Sequence, residues 1–176
     1  MNVRRVVTGQ DANGKSAFVS DEEIEPITLQ LVPGLKFYWL WGADEMPRLP
    51  TDGRPLEQDR YFPLAGGFRW MICTLPPESV GPQPPLDIQA LRNEVAEKLP
   101  GLLDVLEPDH PGMHTTDTVD VVVILSGQYT LELDDGAEVT LGPGDTVVQN
   151  GTRHASHNRG DVPVVIAFGL IGAQRS

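Results

Sequence analysis

The feature that most limits how this chain can fold is a series of short apolar segments between residues 113 and 171, separated by glycine turns. The run Val121–Leu125 is apolar on both faces and rich in β-branched residues, which is typical of a buried strand. Asp135-Gly136 is a strong hairpin dipeptide, because glycine readily takes the positive φ of a tight turn. Many short strands with turns at this spacing predict an antiparallel sandwich or barrel.

All four histidines of the chain lie near the outer ends of two segments of this series, Met113–Gly127 and Gly144–Asn158. His110 and His114 open the first segment, and His154 and His157 close the second. A barrel can bring distant strand ends to one point in its interior, so we expect His114 and His154 to meet there. His157 has the wrong parity to share a face with His154, which predicts a position outside the barrel or at its mouth. His110 is more often a loop residue than a ligand.

Composition excludes several classes of function. The formal charge of −12 and the absence of clustered Lys and Arg argue against nucleic-acid binding. The single cysteine, Cys73, excludes an intramolecular disulfide framework and suits a reducing compartment. We find no secretory leader and no run approaching the roughly 18 apolar residues of a membrane span. The expected location is therefore the cytoplasm, with no membrane partner.

Two motifs in these segments resemble those of the cupin superfamily. The first reads His114-x-Thr116-x3-Asp120-x6-Gly127, with threonine for the second histidine of the family pattern and aspartate for its glutamate. The second reads Gly144-Asp145 … Gly151-x2-His154-x3-Asn158, one residue short and without the proline. The resemblance covers about a third of the chain. It implies an all-β fold, an antiparallel double-stranded β-helix (the jelly-roll or cupin barrel).

The 176 residues fit one structural domain. Residues 101–176 are expected to form the cupin barrel core, and residues 1–100 an N-terminal β-extension with one short helix packed on the barrel. Apolar residues at helical spacing from Ile88 to Leu99, with Asp87 as the N-cap, predict that helix. The N-terminal strands could extend the barrel's sheets or pair with a second subunit. Cupins of this kind often dimerise through such arms, so the resemblance implies a homodimer.

The resemblance also implies a metal site. His114, Asp120 and His154 would form a set of two histidines and one carboxylate, which leaves coordination positions open for water or substrate. The same donors suit Zn, Fe, Mn, Ni or Cu, so they do not select the divalent metal. Cupins without metal are common, and both forms stay open here. In a metal-free form, Asp120 and His154 would be the catalytic general base and acid.

Three further side chains are candidates for substrate binding. Thr116 would place a hydroxyl group or a water molecule beside the metal. Arg69 and Arg153 could each bind an anionic substrate, although a surface ion pair is the alternative for both. An apolar barrel with few polar groups suits a small organic ligand, such as an aromatic or keto acid.

The leading hypothesis is a cupin enzyme that acts on a small oxygenated organic molecule. Its chemistry would be of the lyase, isomerase or decarboxylase type, assisted by a divalent metal that polarises a carbonyl or enolate oxygen. The alternatives are a non-catalytic small-molecule-binding cupin without metal and an iron-dependent dioxygenase.

Overall fold

The computed structural model describes residues 1–54, 59–81 and 87–176. The predicted all-β, antiparallel architecture is confirmed. Two helices are present in these ranges, α1 (Ile88–Lys98) and the single turn α2 (Leu102–Val105). The strands are β1 (Arg4–Gln10), β2 (Ser16–Glu23), β3 (Ile27–Thr28), β4 (Lys36–Ala43), β5 (Phe68–Leu75), β6 (Thr118–Ser126), β7 (Tyr129–Glu132), β8 (Glu138–Leu141), β9 (Thr146–Asn150), β10 (Ala155–His157) and β11 (Val164–Gly172).

The strands form two sheets that enclose one core, and a separate hairpin. The larger sheet has six strands in the order β3-β4-β5-β11-β6-β9, and the smaller has the order β10-β7-β8. Strands β1 and β2 pair with each other. Because β5 pairs with β11 along residues 68–75, strands β3 to β5 extend the barrel's own sheet. The division of the chain near residue 100 stays a prediction.

The core lies between the inward faces of the two sheets. Alternate residues of β6, among them Asp120, Val122 and Ile124, are buried, as the two-residue period of a strand requires. Aromatic and aliphatic side chains from the smaller sheet, such as Tyr129 and Leu131, pack into the same cluster. This arrangement places one polar residue, Asp120, among apolar neighbours.

Helix α1 forms where the sequence predicts it. The carboxylate of Asp87 accepts a hydrogen bond from the backbone N–H of Ala90 at 3.0 Å, which caps the first turn. Leu91 and Val95 are the residues of the helix that it buries. Neither helix in the described ranges has the length and apolar character needed to cross a membrane.

The end of β11 is closed by a tight contact between glycines. The N–H of Gly172 donates to the carbonyl of Gly67 (2.9 Å), and the N–H of Gly66 donates to the carbonyl of Gly172 (3.1 Å). A Cβ added at Gly172 would lie 1.8 Å from the carbonyl oxygen of Leu64. The residue must be glycine because backbone atoms, which move little, occupy the space of a side chain.

We therefore expect Gly172→Ala to lower the free energy of unfolding by roughly 1–3 kcal/mol, the usual range for forcing atoms into filled space. Denaturant unfolding followed by circular dichroism measures this change. The control is Gly142→Ala, whose added Cβ would lie 4.0 Å from its nearest atom. Equal stability of the two variants would contradict the tight closure.

The homodimer stays a prediction. Light scattering at micromolar concentration should give a particle mass twice that of the 176-residue chain. The β1–β2 hairpin is exposed, and Phe18 on β2 is 80% exposed. In the predicted dimer, a second copy of the chain would cover this hairpin. A mass equal to one chain would contradict the prediction.

Candidate functional site

A short backbone bridge brings His114 and His154 together. The N–H of His114 donates to the carbonyl of His154 at 3.0 Å, and the N–H of His154 donates to the carbonyl of His114 at 2.9 Å. The two residues lie just before β6 and β10, in different sheets. Their ring centroids are 4.3 Å apart and their planes are inclined by 53°. The structure thus places side by side two imidazoles that are forty residues apart in sequence.

Each imidazole is oriented by a hydrogen bond to the backbone carbonyl two residues before it. The Nδ1 atom of His114 lies 2.8 Å from the carbonyl oxygen of Gly112, and the Nδ1 atom of His154 lies 2.8 Å from that of Thr152. A carbonyl oxygen only accepts, so Nδ1 carries the proton and donates. In the neutral ring, Nε2 then carries a lone pair and no proton.

Burial lowers the pKa of both histidines. At His114 the desolvation is reinforced by charge repulsion from His154, and the bond to Gly112 opposes it. At His154 desolvation dominates over the opposing bond to Thr152. The neutral form with a bare Nε2 is therefore favoured at both rings.

The two histidines lie in the wall of a cavity of about 220 Å³ between the sheets. Most of the wall is aromatic or aliphatic; representative residues are Leu35, Phe37, Tyr61, Val122, Phe168 and Leu170. The polar residues of the wall besides the histidines include Asp120, Gln149, Tyr129 and Ser156. No lysine or arginine from the described part of the chain lines this cavity.

Among the described residues, Asp120 is the one carboxylate in this wall. It lies on β6, paired with Gln149 of β9 and Leu170 of β11, and is 5% exposed. Thr118 donates a hydrogen bond to the carboxylate, while Oδ1 is buried and has no partner among the described residues. Desolvation raises the pKa of Asp120, and the Thr118 bond and the charge interaction with His114 offset part of this. A buried acceptor left without a donor costs about 1–3 kcal/mol of folding free energy.

The predicted three-ligand metal set is only partly assembled. The two bare Nε2 atoms fit a divalent metal, because metal-bound histidines are usually held through the other ring nitrogen in this way. In residues 1–54, 59–81 and 87–176, however, no three His, Cys, Asp or Glu side chains are grouped closely enough to hold one ion. Asp120 therefore does not complete the set in this conformation. The metal role of His114, Asp120 and His154 stays a prediction.

Thr116 does not lie in the cavity wall. Its hydroxyl group is 2.8 Å from that of Thr118, and its side chain lines a different surface groove. Because β6 begins only at Thr118, the strict alternation expected from Met113 onward does not extend back to this residue. Thr116 thus supports Thr118, which in turn holds Asp120, and its substrate contact stays a prediction that the geometry does not favour.

Arg69 is fully buried but is occupied by partners outside the cavity. It donates to the carbonyls of Ala43 (2.9 Å), Phe68 (3.0 Å) and Arg60 (3.1 Å). It also forms an ion pair with Asp44, and its guanidinium lies 5.7 Å from the centre of the Trp39 ring. These contacts favour a structural role over the predicted substrate contact, which nothing here tests.

Arg153 is held at the protein surface. Its guanidinium makes two bonds to Glu107 (2.7 and 2.6 Å) and one to Asp134 (2.8 Å). This is the ion pair that the sequence analysis gave as the alternative. Substrate binding by Arg153 also stays a prediction.

The remaining two histidines lie outside the cavity. His157 lies between two carboxylates, with Nδ1 2.5 Å from Glu78 and Nε2 2.7 Å from Glu132. His110 lies 3.4 Å from Glu132. Since Glu132 neighbours the inward Leu131 on β7, this cluster faces away from the core, as parity predicts for His157.

Gln149 and the Tyr129–Ser156 pair line the cavity although neither sequence motif specifies them. The hydroxyl groups of Tyr129 and Ser156 share a hydrogen bond of 2.6 Å, and Gln149 also bonds to the Tyr129 hydroxyl. The available signal was Gln149 itself, an amide that directly follows the apolar pair Val147-Val148. Its position opposite Asp120 depends on the strand register, which the sequence does not give.

Two fungal proteins are similar to part of this chain. They are phomopsin biosynthesis cluster proteins C' and D of Diaporthe leptostromiformis, each 40% identical over 58 residues. That match covers 33% of this chain and 31% of each relative, so the similarity spans less than a third of the relatives' length. Among solved structures, the Cnp3 cupin domain of Schizosaccharomyces pombe has a TM-score of 0.49 at 10% identity, over 96% of this chain and 87% of that one.

The segment that matches a family model is the one that contains the site residues. Residues 103–169 match the family model described as the cupin domain, and this range includes His114, Asp120 and His154. The order and antiparallel pairing of the strands agree with the barrel that the two sequence motifs imply. This segment is therefore similar to the cupin domain, in agreement with the two sequence motifs.

Proposed function

We propose that this chain is an enzyme that binds a small oxygenated organic molecule in the cavity and moves a proton on it. Lyase, isomerase and decarboxylase reactions include such a step. The observation that carries the proposal is the buried Oδ1 of Asp120, which has no partner among the described residues and belongs to a side chain in the same wall as two imidazoles. An unsatisfied carboxylate at a cavity costs folding free energy, and a ligand that donates a hydrogen bond to it recovers that cost as binding free energy.

The protonation of the site defines the roles of its residues. Nε2 of His154 carries no proton in the neutral ring, so this atom can take a proton from the substrate but has none to give. The carboxylate of Asp120, whose pKa burial raises, is a stronger base than an exposed carboxylate and can also take a proton, the role expected of it from the sequence. His154, which the sequence suggested as the acid, has a proton to give from Nε2 only after it has taken one. His114 would hold a hydroxyl or amino group of the substrate beside them.

The apolar wall contributes to this chemistry in two ways. It excludes water from the reacting group, and it strengthens each electrostatic contact by lowering the local dielectric constant. A role in small-molecule biosynthesis also agrees with the names of the two fungal relatives, although only the shared 58 residues link them to this chain.

A metal-assisted form is the second candidate, and the orientation of the two histidines favours it. A divalent ion held by His114 and His154, with Asp120 as a third donor after a side-chain movement, would polarise a carbonyl or enolate oxygen. His114 and His154 would then serve as ligands and would not themselves carry protons.

The role of Asp120 is tested by Asp120→Asn. We expect turnover to fall roughly 100-fold or more, the usual contribution of a general acid or base, while the ligand still raises the melting temperature. The measurement is consumption of compounds from a panel of keto acids and phenols. Asp117→Asn is the matched control, since Asp117 is exposed and pairs with Arg175.

Two outcomes would contradict the enzymatic proposal. Undiminished turnover by Asp120→Asn would remove Asp120 from the chemistry. A panel in which compounds stabilise the wild-type protein but none is consumed would instead indicate a non-catalytic binding protein.

The metal-assisted form is tested by elemental analysis of protein purified without an immobilised-metal column. We expect about one divalent ion per chain in the wild type, and its loss in both His114→Ala and His154→Ala. His157→Ala is the control, because His157 lies outside the cavity and should not affect the metal content. Metal that survives both cavity substitutions would show that these residues are not the ligands.

A further inference from the structure

The polar groups of the cavity also define the chemistry of its ligand. We infer that the ligand carries no negative charge and donates hydrogen bonds from neighbouring hydroxyl or amino groups at one end of a ring-sized apolar body. This inference rests on the proposed function, because it concerns the occupant of the same cavity. It excludes the keto and aromatic acids that the sequence suggested.

The first step is that the polar end of the cavity presents acceptors. Both histidines direct their only N–H to a backbone carbonyl, so each offers a lone pair at Nε2. The carboxylate of Asp120 adds an unpaired oxygen. Two imidazole lone pairs with ring centroids 4.3 Å apart suit donors on adjacent atoms of one molecule.

The second step is that the acceptors of the wall depend on a ligand more than its hydroxyl groups do. The hydroxyl groups of Tyr129 and Ser156 bond to each other at 2.6 Å, so each already has a partner. A ligand that only accepts would leave the histidines and Asp120 without partners, which weakens binding.

The third step concerns charge. No lysine or arginine among the described residues lines the cavity, and Arg69 and Arg153 are held by carboxylates and carbonyls elsewhere. A carboxylate ligand would therefore lie in an apolar cavity beside Asp120 with no cation to compensate it. Two like charges in such surroundings are strongly unfavourable.

The cavity volume sets the size of the ligand. The space is about 220 Å³. An engineered apolar cavity of about 150 Å³ accommodates benzene, so the present one holds a single six-membered ring with a few substituent atoms. Phe37, Phe168 and Leu170 provide the apolar surface against which such a ring would pack.

The test uses four one-ring probes that differ in a single property: catechol (two donors), phenol (one donor), anisole (an acceptor without a donor) and benzoate (an anion). Affinities are measured by calorimetry with EDTA present, so that a free metal ion cannot bind the diol or the carboxylate. We expect catechol to bind most tightly and anisole roughly tenfold or more weakly than phenol, because an unsatisfied buried acceptor is expensive. Benzoate should bind most weakly.

Asp120→Asn provides the second measurement. Asparagine removes the negative charge and adds an N–H donor, so we expect the preference for phenol over benzoate to shrink by roughly tenfold. Asp117→Asn should leave the order of the four probes unchanged.

The outcomes separate the two proposals. Similar affinity for all four probes, or tighter binding of benzoate than of phenol, would overturn the inference about the ligand and leave a small-molecule cavity in place. Binding of none of the probes would overturn the proposed function together with the inference.

Discussion

The site depends on the pair of backbone hydrogen bonds between His114 and His154. This bridge joins the segment before β6 to the segment before β10, which belong to different sheets. Because the two bonds fix the two backbones side by side, the rings are close without needing any contact between them. The hydrogen bonds from Nδ1 to the carbonyls of Gly112 and Thr152 then fix the orientation of each ring. Each Nε2 atom thus lacks a proton because a backbone carbonyl near that histidine accepts the hydrogen bond from Nδ1.

Asp120 imposes a cost on the fold that the rest of β6 offsets. Val122 and Ile124, the next inward residues on the strand, are buried in the main core, and each contributes about 1.5–3 kcal/mol by burial. An unpartnered carboxylate oxygen costs about 1–3 kcal/mol. The strand therefore stays folded with Asp120 in place. Local rules of this kind are usually broken at functional sites, where strain is tolerated because the rest of the structure compensates.

Much of the fold was predictable because it depends on local signals. The hairpin at Asp135-Gly136 and the apolar run of β6 follow from turn chemistry and from two-residue periodicity. The outward position of His157 follows from the same periodicity. The surroundings of Arg69 were not predictable, because they depend on the end of β4 at Ala43 and Asp44 and on Arg60, and local sequence rules do not bring these together. The position of Thr116 outside the cavity wall was not predictable, because the start of a strand cannot be fixed to one residue from a sequence.

The net negative charge of the chain and the polar groups of the cavity both disfavour anionic ligands, but they act over different distances. With 25 acidic and 13 basic residues, the surface repels anions at a distance. Physiological salt screens that field beyond roughly 8 Å, so it influences the approach of a ligand but discriminates little once the ligand is bound. Inside the apolar wall there is little screening, and Asp120 acts on the ligand at full strength. The selection against anions that we propose would therefore be a property of the cavity, and it would persist at high salt.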